Sequence, residues 1–306
     1  MPKTDGRVAR KPEWLKIKLH EGAGFAEVAK LVGSNGLHTI CTSGKCPNQA
    51  ECWSRRTATF MILGDICTRS CKFCATKTGR PLPIDPDEPV KVARSVSVME
   101  LRYCVLTSVD RDDLPDGGAR HWANVVTEIR KQNPDTKIEL LIPDFDGDES
   151  LLDIVIASRP DVIGHNIETV ERLTPSVRSK AKYRTSLDVI RYAALSGIPA
   201  KSGIMLGLGE AESDVLATFD DLVAAGCRIL TIGQYLQPTA NQLPVVEYIH
   251  PDKFAWYKEE ALGRGFSHVE SGPMVRSSYL ADKAAASGCL ENKAMAGNVK
   301  IKIHCE

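Results

Sequence analysis

Residues 64–74, GDICTRSCKFC, carry cysteines at Cys67, Cys71 and Cys74, a C-x3-C-x2-C spacing. Thiolate sulfur is a soft ligand that suits iron–sulfur clusters, and three thiolates on one short loop can hold three irons of a [4Fe–4S] cluster. The fourth iron is then open to a small molecule, whereas a structural zinc site takes four ligands and closes. A second triplet, Cys41, Cys46 and Cys52 in CTSGKCPNQAECW, has the looser spacing C-x4-C-x5-C. Alone it is compatible with a second cluster, a zinc site or a redox switch. Six of the ten cysteines fall between Cys41 and Cys74. Disulfides belong to oxidising compartments, so such clustering without secretory features points to metal or redox chemistry.

The elements that must position these residues are visible as apolar runs at 59–63, 103–107, 138–142, 162–165, 202–206 and 229–232. Between several of them, 119–132, 186–196 and 214–225 have helix-like apolar spacing. Short buried strands alternating with amphipathic helices predict βαβ units and a parallel sheet. The fold class is α/β, a partial (β/α)6 TIM-like barrel with an N-terminal cysteine-rich extension and a C-terminal extension. Its segments are 1–56, 57–237 and 238–306. A doubly wound open sheet is the alternative, because periodicity does not close a barrel. Cys67 just after the first strand falls at the C-terminal mouth, where barrel active sites sit.

Lys+Arg and Asp+Glu are both 39, so formal net charge is zero. Nucleic-acid binding needs a surplus of positive charge and is not expected. The basic stretch at 1–19 reads as a solvated arm. No apolar run approaches the roughly 18 residues of a membrane span. No apolar core of a secretory signal follows the start, so the expectation is a cytoplasmic protein.

The two triplets together resemble the lipoyl synthase family of the radical-SAM superfamily. Further matching segments are 106–118 (LTSVDRDDLPDGG), 168–173 (ETVERL), 201–210 (KSGIMLGLGE), 233–238 (GQYLQP) and 272–279 (GPMVRSSY). The resemblance spans about residues 10–281. It implies two [4Fe–4S] clusters. Cys67, Cys71 and Cys74 would hold the one that binds S-adenosylmethionine (SAM). Cys41, Cys46 and Cys52 would hold an auxiliary cluster with a serine oxygen of Arg276–Tyr279 as fourth ligand: Ser278, with Ser277 as fallback. From sequence alone a Ser-Ser pair is more often a turn or cap.

The resemblance implies an enzyme that takes hydrogen from C6 and C8 of a protein-bound octanoyl group and inserts two sulfurs from the auxiliary cluster. Two SAM would be consumed per product. Implied partners are octanoylated lipoyl-carrier domains (E2 subunits, glycine-cleavage H protein), a ferredoxin or flavodoxin, and a cluster-resupply protein. A biotin synthase-like enzyme and a non-catalytic iron–sulfur carrier are the rivals. The second triplet with R-S-S-Y counts against the first, and the open-iron triplet against the second.

For SAM, the resemblance puts Phe73 near the adenine and Asn166 and Glu168 near the ribose and methionine portion. The latter pair would otherwise be an ordinary strand-to-helix cap. Arg184 suits the SAM carboxylate, since a guanidinium fork fits a carboxylate; a surface salt bridge is the other reading. Gly207 and Gly209 permit close backbone approach, either to a ligand or within a tight loop. Ser108 and the charge run Asp110–Asp113 would order SAM or line the rim. Cys104 and Cys227 read as buried small hydrophobes, and Cys289 and Cys305 receive no role. His165, beside Asn166, is the histidine to watch. Gln242 departs from the family's frequent histidine, which weakens acid–base chemistry there.

Overall fold

A computed structural model describes residues 11–15, 23–54 and 59–281. Cys289, Cys305 and most of the basic arm lie outside that range. In chain order the helices are α1 (Ala23–Ser34), α2 (Ile40–Ser43), α3 (Gln49–Ser54), α4 (Glu88–Val98), α5 (Ala119–Gln132), α6 (Glu149–Ala157), α7 (Thr174–Val177), α8 (Tyr183–Leu195), α9 (Glu212–Ala224) and α10 (Pro251–Arg264). The strands are β1 (His38–Thr39), β2 (Thr59–Ile62), β3 (Ile66–Cys67), β4 (Lys77–Thr78), β5 (Tyr103–Ser108), β6 (Lys137–Leu141), β7 (Val162–Gly164), β8 (Ala200–Leu206), β9 (Ile229–Gln234) and β10 (His268–Gly272).

Eight strands form one sheet in the order β1-β2-β5-β6-β7-β8-β9-β10. Every pairing is parallel except β1 with β2. Spatial order follows chain order. A doubly wound sheet would reverse order at a switch point, so the arrangement is barrel-like. Among the described strands β1 and β10 do not pair, which leaves the barrel partial. All four β2 residues and all six of β9 are buried, as expected for parallel strands covered on both faces.

The outer helices bury one stripe each. On α5, His121, Trp122, Val125, Val126 and Ile129 are buried at helical spacing, and Arg130 and Lys131 complement the C-terminal dipole. Inside the barrel, Glu139 on β6 accepts from Tyr103 on β5 and pairs with Lys201 on β8, both at 2.6 Å. A buried pair this well bonded ties three strands in one layer.

The six anticipated strands are present. The seventh parallel strand, β10, lies in the stretch read as a C-terminal extension, 238–306. Its sequence HVESG holds one aliphatic residue, so it gives no apolar run.

Candidate functional site

The C-x3-C-x2-C loop leaves the sheet after β2 and returns through the small β3–β4 ribbon, where Ile66 pairs with Lys77 and Cys67 with Thr78. Backbone N–H groups of Arg69 and Asp110 both donate to Cys67 Sγ at 3.4 Å. Arg69, between two of the cysteines, is buried and forks onto Asp112 while pairing with Asp144 at 2.8 Å. Burial works against its charge, but those carboxylates outweigh it and raise its pKa, while Arg69 holds Asp112 down to about 2. On the loop's other side, Leu243 N–H donates to the Lys72 carbonyl at 2.9 Å and Gln242 Nε2 to the Cys74 carbonyl at 3.1 Å. Gln242 therefore acts here as an amide clamp. Burial, then Asp110, pushes the Cys67 thiol up to about 12, and burial raises Cys74. Metal binding would have to release those protons.

The loop opens onto a cavity of about 500 Å³ inside the barrel, which Phe73, Ser108, Asn166, Glu168 and Arg178 also line. Asn166 Nδ2 donates to Glu168 Oε1 at 3.1 Å and to Ser277 Oγ at 2.7 Å. Glu168 has a left-handed backbone, φ 66°, held by its bridge to Ile204 on β8. Burial raises its carboxyl pKa against the lowering influence of Arg178. Burial, with Arg178 beside it, drops His165 to about 4. His165 is thus a neutral ring whose Nδ1–H donates to the Ile142 carbonyl and whose Nε2 accepts from Ser186 Oγ, each at 2.9 Å. Ser186 Oγ in turn accepts from Arg178 Nη1 at 2.8 Å. His165 is a buried support for Arg178 and not a metal ligand.

The first triplet lies at the opposite end of β2. β1 runs antiparallel to β2 with Thr39 opposite Phe60, so α2, which follows β1 directly and carries Cys41, comes to the start of β2 at Thr59. The Cys67 loop follows its last residue, so the triplets are separated by a strand of roughly 13 Å. Cys41 and Cys46 line the same cavity, and Cys52 sits on α3 outside the lining. The 272–279 segment is fastened to this triplet at three points. Asn48 Nδ2 donates to the Met274 carbonyl at 2.7 Å, Thr59 Oγ1 to Ser278 Oγ at 2.7 Å, and Tyr279 Oη to Glu51 at 3.2 Å. Ser278 thus meets Thr59 at the start of β2, while Ser277 meets Asn166.

Two sequence-derived assignments need correction. Arg184 does not line the cavity: its guanidinium forks onto Glu171 at 2.8 Å on the surface. The arginine that reaches inward is Arg178, six residues earlier, just after α7, where no local pattern distinguishes it. Gly207 does not line the cavity either. A side-chain carbon there would stand 2.2 Å from Gln234 Nε2 and 2.4 Å from the Glu247 carbonyl, at φ 102°. Its close approach is to the protein itself. In the charge run, Asp110 lines the cavity, whereas Asp112 and Asp113 serve Arg69 and Arg111. Cys104 and Cys227 are fully buried.

The donor set can be tested against the groups it is expected to hold. All eight described cysteines are free thiols. Among the described residues no three His, Cys, Asp or Glu side chains converge on a single-ion site. Three soft thiols on one short loop, Cys67, Cys71 and Cys74, are a donor set that suits an iron–sulfur cluster. Two buried polar atoms of cavity-lining residues, Ser108 Oγ and Arg178 Nε, have no partner among the described residues. Buried polar groups are normally bonded, so both fit a polar ligand carrying a carboxylate and hydroxyls, as SAM does.

A parallel barrel with a C-x3-C-x2-C loop opening on its cavity is the arrangement of a radical SAM enzyme, and the Radical SAM superfamily pattern matches residues 61–222. The fold is shared with methylornithine synthase (TM-score 0.53, 11% identity, 81% of this chain and 82% of that one). It is also shared with Streptococcus suis SuiB bound to S-adenosylmethionine (TM-score 0.56, 10% identity, 69% and 49%). Lipoyl synthases are much closer in sequence. That of Bacteroides fragilis strain YCH46 is 60% identical over 92% of this chain and 97% of its own length. That of Treponema denticola is 54% identical over 91% and 96%. The chain belongs to the lipoyl synthase family. Among the described residues no helix is long and apolar enough to cross a membrane.

Proposed function

We propose that this enzyme inserts sulfur at C6 and C8 of an octanoyl group held in amide linkage to a lysine of a carrier domain, using a cluster on Cys41, Cys46, Cys52 and Ser278 as sulfur source. The observation that carries this reading is one cavity lined by thiols of both triplets, with Ser278 beside the first. When bound, SAM and its cluster supply a 5′-deoxyadenosyl radical able to take hydrogen from an unactivated carbon, and the second cluster supplies sulfide.

The chain's own residues bind, orient and exclude water. Cys67, Cys71 and Cys74 hold the SAM cluster, with Arg69 and Gln242 fixing their loop from two sides. Phe73, Ser108, Asn166, Glu168 and Arg178 provide the SAM wall. Ile40, Leu141, Ile142, Ile204 and Val275 give the cavity an apolar lining that suits an acyl chain and keeps water from a radical. Two SAM per product follow from two C–H bonds. Octanoylated E2 subunits or glycine-cleavage H protein would be the substrates. A ferredoxin or flavodoxin would be the reductant, and a cluster-resupply protein would restore the consumed sulfur.

Mass spectrometry of an octanoylated carrier peptide after anaerobic turnover tests this. The expected product has two sulfurs in place of two hydrogens, with two 5′-deoxyadenosine per product. Deoxyadenosine without sulfur incorporation by fully loaded enzyme would refute it.

A further inference from the structure

Two neighbouring side chains, Ser277 and Ser278, reach opposite parts of the cavity. Ser277 Oγ accepts one of the two Asn166 Nδ2 hydrogens, and Glu168 Oε1 accepts the other. Asn166 thereby spends its whole donor capacity on two fixed acceptors, which sets the amide's orientation. Its Oδ1 lies against Gly203 on β8, in space that a side-chain carbon there would contest at 2.8 Å, so the glycine makes room for the amide. The Ser277 hydroxyl hydrogen has no acceptor among the described residues and is free for a ligand. Ser278 Oγ instead accepts from Thr59 at the start of β2, where the β1–β2 pairing also brings α2 and its Cys41. One dipeptide thus touches both the wall carrying Asn166 and Glu168 and the start of β2 beside the first triplet.

We infer that Ser277 is a positioning residue for Asn166 and that, through the backbone it shares with Ser278, loading of the first triplet is coupled to SAM binding. The inference rests on the two-cluster reading above. A ligand that draws Ser278 toward Cys41 fixes the adjoining peptide, which sets where Ser277 presents its oxygen to Asn166. With that end loose, Asn166 keeps only its bond to Glu168, and the SAM wall is less preorganised. Coupling of two binding events is reciprocal, so bound SAM favours retention of the first cluster in turn. The arrangement would match SAM affinity to whether sulfur is in place.

The test is the SAM dissociation constant, measured by anaerobic equilibrium dialysis on oxidised enzyme, where no turnover occurs. Wild type, Ser277→Ala and Ser277→Thr are each compared with and without Cys46→Ala, which removes the first cluster. Wild type and Ser277→Thr should lose affinity roughly threefold or more when Cys46 is replaced, a modest coupling. Ser277→Ala should start about fivefold weaker, the scale of one lost hydrogen bond, and respond no further to Cys46→Ala. Wild-type affinity in Ser277→Ala, or an undiminished response of that variant to Cys46→Ala, would overturn the inference. Iron content separates its failure from that of the underlying reading. If Cys46→Ala leaves iron unchanged, the two-cluster reading falls, and the inference with it.

Discussion

Thr59 Oγ1 donates to Ser278 Oγ across 2.7 Å, although the residues stand 219 positions apart in the chain. The contact brings the last motif of the C-terminal segment to the first residue of the first barrel strand, the end of β2 to which the β1–β2 pairing also brings α2 and its Cys41. Of the two serines it is Ser278 that is tied to this end of β2, and Ser278 is the one proposed as the cluster ligand. Ser278→Ala should leave SAM cleavage measurable while lipoyl product falls sharply, because the auxiliary cluster loses an oxygen ligand. Ser278→Cys should retain the cluster and slow turnover, since thiolate is the softer and stronger ligand for iron. Iron analysis with paired assays of 5′-deoxyadenosine and lipoyl peptide separates these outcomes. Full activity of Ser278→Ala would remove serine ligation from the account.

Division of labour between the triplets gives a second expectation. Anaerobically reconstituted enzyme should hold about eight irons, four per cluster. Cys71→Ala should abolish SAM cleavage. Cys46→Ala should keep some deoxyadenosine formation, make no lipoyl product and retain about half the iron. Loss of radical formation in both variants, with the other cluster intact, would contradict separate roles.

Much of this site was legible because its chemistry is local in sequence. The Cys67–Cys74 spacing sits on one loop, and its strand is a plain apolar run, so position and ligand type could be read together. The second triplet was legible as a triplet, but that it opens on the same cavity follows from β1 pairing antiparallel with β2, a long-range relation. β10 was invisible because HVESG satisfies a strand through backbone pairing to β9 and not through apolar side chains. Arg178 and Arg184 flank the same short turn into α8. Which of them points inward depends on how α8 docks, and spacing cannot report that. Arg69 and Thr59 were passed over for a similar reason: their partners, Asp112, Asp144 and Ser278, lie on other loops.

Gly207 tests whether a conformational glycine has been separated from a ligand-contacting one. Alanine there meets Gln234 and the Glu247 carbonyl well inside contact distance, on a backbone at φ 102°. Gly207→Ala should therefore cost about 2–4 kcal/mol of stability, combining left-handed strain with overpacking. Urea unfolding of the variant beside Gly209→Ala provides the check. At Gly209 an added carbon meets only Val246, at 3.7 Å or more, so a smaller loss, confined to backbone strain, is expected there. Equal losses at both positions would mean that backbone strain alone, without the contacts at Gln234 and Glu247, accounts for Gly207.

Arg178 and Arg184 give the clearest contrast between a cavity group and a surface group. Arg178 is oriented by Ser186, itself held by neutral His165, and presents a buried Nε with no partner among the described residues. A carboxylate arriving there would gain a charge-assisted bond without first breaking an existing ion pair. Arg178→Ala should weaken SAM binding about tenfold, since such bonds exceed ordinary ones in strength. Arg178→Lys should recover only part of the loss, because an ammonium lacks the planar fork. Arg184 already spends its fork on Glu171 in solvent, where ion pairs contribute little. Arg184→Ala should leave SAM binding within about twofold of wild type. Equilibrium dialysis of SAM against the three variants decides the matter: weakening by Arg184→Ala with none by Arg178→Ala would return the assignment to the residue that the sequence first suggested.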